Sequence, residues 1–378
     1  MLFIIFLVIF SIIFILANIY IYKRLLMKIP FLFQHKRYAK IFIIILSLMQ
    51  TSFLIFRADD EFNNTIYTIF AHSFAITYAL FFTTIFADIL GFCIKFYIKK
   101  TSKMPLRGEK RRRVKVFFNL ALLLFGFCFV LKGWSNATSI PDVKELELTL
   151  PTLQKDLKMV MISDTHFGKN LNESFLKGIV EKINSLNPDF VVIVGDFVDT
   201  KPEDLGYISG INEIRADIYY ALGNHEYYRG IDGILELLRQ KTKLKILIND
   251  SFETEFLNIA AMADLAGLGR GNASLEPDIN KTKAKLNLSK PSILLSHQPK
   301  SVLRYDVSNF DLVLSGHTHA GQVFPFRFLV KQNQGFLHGL YDLSEKTKLY
   351  VSSGAGFWGL SMRYLAKSEI VLFNLKAM

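Results

Sequence analysis

The sequence predicts two regions in series: an all-α membrane region of about four helices, then an α/β domain with buried strands. Three observations carry this. Hydrophobic residues make up 51% of the 378 positions and mean hydropathy is +0.28, too apolar for an ordinary soluble chain. Long apolar runs fill the first third. Beyond residue 157, short apolar strands alternate with helix-period segments, and polar clusters follow the strands.

The apolar runs cover residues 2–22, 41–56 (extendable to 39), a stretch within 66–98, and 114–131. A spanning helix needs about 20 residues, so each is a candidate, and the third is long enough to tilt. The first run has no charged n-region and no small-residue cleavage site, so it is expected to be retained rather than cleaved. His72 and Asp88 fall inside the third run. Ionisable groups at membrane depth are functional suspects, although a run this long can also place them near its interfaces.

The formal net charge of +12 is concentrated beside these runs. Lys23, Arg24, Lys28, Lys36, Arg37 and Lys40 separate the first two. Lys99, Lys100, Lys103, Arg107, Lys110, Arg111, Arg112, Arg113 and Lys115 lie between the third and fourth. The loop between the second and third holds Arg57, Asp59, Asp60 and Glu61. The positive-inside rule puts the two basic loops in the cytoplasm, and the N-terminus and everything after residue 131 outside. The expectation is a multi-pass inner-membrane protein with an outer catalytic domain. The basic cluster at 111–113 reads as this topology signal, compatible with anionic lipid, and no nucleic-acid partner is predicted. Cys93 and Cys128 both lie in apolar runs, so the polar half has no disulfide framework and no cysteine metal site.

The predicted boundaries are a membrane anchor over 1–132, a polar linker over 133–150 containing Pro141, and a second domain over 151–378. Within that domain, strands are expected at 157–162, 190–194, 218–222, 245–248, 293–295, 311–314, 349–351 and 369–373. Residues 173–186 place Phe175, Leu176, Ile179, Val180 and Ile183 on one helical face, and 230–238 reads as a short helix.

Five polar clusters follow these strands: Asp164-Thr165-His166, Gly195-Asp196-Phe197-Val198-Asp199, Gly223-Asn224-His225-Glu226, Ser296-His297-Gln298 and Gly316-His317-Thr318-His319. Ligand sites in open α/β sheets gather at the carboxyl ends of strands. Of eight histidines, five sit in these clusters, which scattered placement would rarely produce. The donors are nitrogen and oxygen without thiolate, a set that suits Mn, Fe or Zn and disfavours a closed structural zinc site.

These motifs, DxH, GDxxD, GNHE, a later His and GHTH in that order, resemble the calcineurin-like metallophosphoesterase superfamily, in its bacterial membrane-anchored branch. The resemblance covers about residues 157–376 and implies a four-layer αββα sandwich. It implies two divalent cations: Asp164, His166 and His319 on one, Asn224, His297 and His317 on the second, and Asp196 bridging both. A charged carboxylate is the natural bridge between dications, whereas neutral Asn224 adds a ligand without over-neutralising them. The pair would activate a hydroxide for in-line attack on phosphorus. His225 would face the scissile phosphate as the catalytic group. Asp199 would orient a ligand from behind, and Glu226 reads equally as a loop carboxylate. The run from His317 to Gln322 is similar to GHTHGGQ with Ala320 in place of a glycine. Residues 353–356 leading to Arg363 look like a glycine loop followed by PxR, with Ser361 where proline is common. The glycines could form a simple turn, and Arg363 could pair with substrate phosphate or with Glu369.

The expected function is therefore metal-dependent hydrolysis of a phosphate ester or pyrophosphate on a lipid-linked or envelope substrate. UDP-2,3-diacylglucosamine pyrophosphatase is an alternative, although that cytoplasmic substrate conflicts with an outer domain. A non-catalytic membrane sensor or transporter is the alternative of another class. It would show many intramembrane polar groups, of which only His72 and Asp88, plus Gly91, are evident.

Overall fold

The structure, a computed structural model, describes residues 2–56, 64–101 and 108–377. The loop charges Arg57, Asp59, Asp60, Glu61, Lys103 and Arg107 lie outside the described residues, as do the side chains of Lys110, Arg111, Arg112 and Lys115. Two compact units emerge, Met1–Trp134 with Gly359–Ser361, and Ser135–Trp358 with Met362–Met378.

The first unit is helical: α1 (Leu2–Arg24), the short α2 (Pro30–Gln34), α3 (Lys36–Phe56), α4 (Asn64–Thr101) and most of α5 (Gly108–Thr138). Four of these helices are long and apolar enough to cross a membrane. Asp88 accepts hydrogen bonds from Tyr20 (2.8 Å), Arg24 (2.8 Å) and Lys28 (2.9 Å). It thus neutralises the basic end of α1. His72 Nδ1 lies 2.6 Å from the Thr68 carbonyl on its own helix. The sequence reading overlooked a buried amide network. Asn18 donates to Ser47 (2.9 Å) and Gln50 (2.9 Å), Gln50 to Thr77 (2.6 Å), and Thr77 back to Asn18 (2.8 Å). It ties α1, α3 and α4 where lipid offers no alternative partner. Isolated polar residues inside a long apolar run lower its mean hydropathy too little to interrupt it, which is why the pattern hid them.

The second unit is an αββα sandwich. One sheet runs β1 (Asp142–Thr149), β12 (Glu369–Lys376), β2 (Leu157–Ile162), β3 (Phe190–Val194), β4 (Asp217–Ala221), β5 (Lys245–Leu247). The other runs β10 (Gly339–Asp342), β11 (Lys348–Val351), β9 (Leu312–Ser315), β8 (Ser292–Leu295), β7 (Asn258–Ala261), β6 (Asp250–Glu253). β2 to β5 are parallel, as are β11, β9, β8 and β7. Strand alternation sorts side chains between layers. Met159, Met161, Val192, Val194 and Tyr219 meet Ile259, Ile293, Leu295, Leu312 and Leu314 between the sheets. Val160, Ile162, Val191, Ile193 and Tyr220 face outward under α6 (Glu173–Ser185) and α8 (Ile231–Lys241). The other outer face packs Leu294, Val313 and Leu349 with Ile279 of α9 (Ile279–Lys283).

The expected linker over 133–150 is corrected by the structure. It contains the last turn of α5 and all of β1, which pairs in parallel with β12 from Asp142↔Glu369 to Thr149↔Lys376. β1 is an edge strand, and Asp142, Lys144, Glu145 and Glu147 break its apolar alternation, the usual protection of an exposed edge. β6, β7, β10 and α10 (Phe326–Gln334) also escaped the sequence reading; each is short or carries polar residues on its open face.

Candidate metal centre

Five loops bring the polar clusters to one end of the sandwich. They follow β2, β3, β4, β8 and β9, and the first two zip together through backbone bonds from Asp164 N to Gly195 O (3.0 Å) and His166 N to Asp196 O (3.0 Å). Asp164, His166, Asp196, His317 and His319 all hold left-handed backbones, with φ between 47° and 68°. Each such residue costs on the order of 1–3 kcal/mol and persists only where surrounding structure dictates it. A Cβ on Gly316 would strike the Asp164 carboxylate, so only glycine admits that side chain beneath the His317 loop.

The donor atoms converge in overlapping groups, Asp164–His166–His319, His166–Asp196–His225 and Asp196–His297–His317, each within 4.8 Å. Asp196 belongs to two of them. Its Oδ2 lies 3.1 Å from His297 Nε2 and 3.7 Å from His166 Nε2. His319 Nε2 lies 3.0 Å from His166 Nε2 and 3.3 Å from Asp164 Oδ1. Burial alone would discourage ionisation of Asp196, but facing His297 and His225 hold its carboxyl well below the usual range. Asp164, by contrast, is pushed up by burial. Burial likewise keeps His317 neutral, down to about 3, and His319 well below its ordinary value with Arg363 adding to the effect. Neutral imidazole is the form that ligates.

Orphaned atoms test whether these residues fit a metal pair. Asn224 Oδ1 is buried without a hydrogen-bond partner, and His297 Nε2, equally buried, faces the Asp196 carboxylate at 3.1 Å. His297 Nδ1 lies 2.8 Å from the Val194 carbonyl, to which it donates, so Nε2 is the atom presented to the cluster. The set fits two cations sharing Asp196.

Surrounding groups position the donors. His225 Nδ1 contacts Asp199 at 2.7 Å, and Arg229 holds the same carboxylate at 2.9 Å. Burial opposes charge on His225, but Asp199 and Asp196 outweigh it and raise its pKa to about 9. Tyr228 and Trp358, both partly exposed, flank that ring at 5.6 and 6.3 Å. The sequence reading missed all three neighbours: Tyr228 and Arg229 stand three and four residues beyond His225 on and just after the short α7 (Asn224–Tyr228), which was not expected, and no spacing links Trp358 to it. Glu226 is more than a loop carboxylate: fully buried, it accepts from the backbone N–H groups of Gly223, Asp196, Phe197 and Val198 at 2.7–3.2 Å. It thereby shapes the Asp196 loop.

Arg363 is enclosed, and Glu369 is itself buried, so the pairing expected on the surface is not made there. Arg363 donates to the carbonyls of Ser353 (2.8 Å), Ala366 (3.2 Å) and Gly356, and stands 2.8 Å from His319 Nδ1. Because a guanidinium only donates, Nδ1 accepts, and the ring proton sits on Nε2 unless a metal takes its place. Arg363 thus orients His319. Ala320 adopts φ 51° and ψ 26°, the conformation that favours glycine at this motif position.

Residues 157–321 match the family model described as calcineurin-like phosphoesterase. An uncharacterized metallophosphoesterase of Campylobacter jejuni is 51% identical over 382 aligned positions, covering 100% of this chain and 99% of that protein. A Helicobacter pylori metallophosphoesterase is 37% identical over 88% of each chain. A Danio rerio protein named as a transmembrane protein with metallophosphoesterase domain is 36% identical over 68% of this chain and 62% of its own length.

Proposed function

The chain belongs to the calcineurin-like phosphoesterase family, and on that premise we propose a two-metal hydrolase acting on a lipid-linked or envelope phosphate at a membrane. Metal-dependent phosphoester hydrolysis and membrane association follow from the family and the four apolar helices. The substrate, the residue roles, the anchoring role of 1–132 and the outer placement are our reading. The observation that carries it is the chain of donor groups linked through His166 and Asp196: His166 joins the Asp164–His319 group to Asp196, and Asp196 joins His166 to His297 and His317.

In this reading Asp164, His166 and His319 hold one cation, Asn224, His297 and His317 the other, and Asp196 both. Bound there, two divalent cations supply Lewis acidity and an activated water for in-line attack on phosphorus. His225 carries a proton near neutral pH and offers Nε2–H to a phosphoryl oxygen or to the leaving group. Asp199, itself clamped by Arg229, fixes the His225 ring. Arg363 fixes His319 from the far side of the ring.

Turnover by detergent-purified full-length protein with Mn²⁺, Zn²⁺ or Fe²⁺ tests this. The panel is an aryl phosphate, an aryl phosphodiester, a lysophospholipid phosphate and UDP-2,3-diacylglucosamine. Asp196→Asn should abolish turnover and lower bound metal, whereas His225→Ala should keep metal and lose roughly 10²–10⁴-fold in kcat. Preference for the nucleotide lipid would replace the envelope substrate by the pyrophosphatase alternative. Silence of the whole panel with every metal would return the protein to a binding role.

A further inference from the structure

A second site lies apart from the metal centre. A cavity of about 540 Å³ opens in the phosphoesterase unit between the start of β1, α10 and the segment 365–369. None of the candidate metal ligands lines it. Lys144, Arg327, Lys331 and Lys367 all do, against two carboxylates, Asp142 and Glu369. The charge of Glu369 is already satisfied. It accepts from Tyr350 (2.8 Å) and from Ser353 N (2.9 Å), and stands 3.1 Å from His338 Nε2 and 4.0 Å from Lys144. Arg327, Lys331 and Lys367 carry no ion pair among the described residues. Isolated surface cations are commonplace, but three without partners around one concavity repel each other and favour an anion between them. A guanidinium beside two ammonium groups matches the several oxygens of a phosphate.

The cavity is open, and its wall carries an exposed apolar side chain: Leu365 is 66% exposed. Cations beside an exposed large apolar side chain suit an amphiphile with an anionic head.

We propose that this cavity binds the phosphate headgroup of an anionic amphiphile, with Arg327, Lys331 and Lys367 on the phosphate and Leu365 against its apolar part. Lysine acetylation read by mass spectrometry on the full-length protein in detergent tests it. The probes are dihexanoyl phosphatidylglycerol, inorganic phosphate and uncharged dihexanoylglycerol. Phosphatidylglycerol should protect Lys331 and Lys367 but not the exposed Lys177 and Lys285. Inorganic phosphate should protect them only at much higher concentration. Arg327→Gln should raise the half-protecting concentration by about tenfold, as expected for one lost charge-assisted contact. Equal protection by inorganic phosphate would overturn the amphiphile. Equal protection by dihexanoylglycerol, no protection at all, or indifference to Arg327→Gln would overturn the anion site. The readout is independent of turnover, so it stands or falls separately from the metal centre.

Discussion

The candidate metal centre depends on residues that never touch a metal in the proposed scheme. Arg363 fills the space behind His319 and satisfies backbone carbonyls of the loop over 353–366. Arg363→Ala should lower stability by about 3–5 kcal/mol, because it leaves several buried acceptors unpaired. It should also weaken metal binding by about 10–100-fold. Arg363→Lys should restore neither, since one ammonium cannot span the same acceptors; thermal melts with and without metal, plus metal titration, check both. Glu369 offers a pH test. Burial disfavours its charge, but the hydrogen bond from His338 and the Ser353 N–H prevail and hold it below the ordinary glutamate range. A depressed carboxylate stabilises the fold above its unfolded pKa of about 4.3, and that stability is lost as pH falls through the lower folded value. Glu369→Gln should therefore flatten this part of the acid limb of a stability-against-pH curve.

At the scale of elements, the strand ends do the positioning. β2, β3, β4, β8 and β9 are short and buried, so their last residues are held by the core while the loops beyond adopt strained backbones. Ala320 carries such strain without side-chain chemistry to justify it. Ala320→Gly should raise stability by up to about 1 kcal/mol, the left-handed penalty less the extra freedom of an unfolded glycine, with metal content unchanged. A fall in the melting temperature would mean that its methyl group packs usefully. The strands were readable because their apolar runs are bounded by motif residues: 157–162 and 190–194 match β2 and β3 to the residue. β1 was not, because an edge strand needs charge on its open side and so resembles a linker.

For the whole molecule, the helical unit and the phosphoesterase unit obey different solvents. Lipid-facing residues such as Leu16, Leu48 and Phe117 stay exposed, while amides pair inside. In the proposed orientation, with the basic loops on the cytoplasmic side, a periplasmic-active reporter fused after Met378 should be active and a cytoplasmic one silent. The reverse pattern would move the catalytic unit to the cytoplasm and favour a cytoplasmic nucleotide-lipid substrate.

Sequence alone determined the family, the helical region and eight of the twelve strands among the described residues, and it singled out the candidate donors, because these rest on local period and on motifs that chemistry keeps intact. The tertiary structure decided what those donors are held by. It buried Arg363 against His319, set Glu226 under the Asp196 loop, added β1 to the sheet edge and gathered Arg327, Lys331 and Lys367 around one cavity. The contacts of Glu226 with the Asp196 loop, of Arg363 with His319 and of β1 with β12 join residues 28 to more than 200 positions apart, and no local pattern records a partner that only folding brings near.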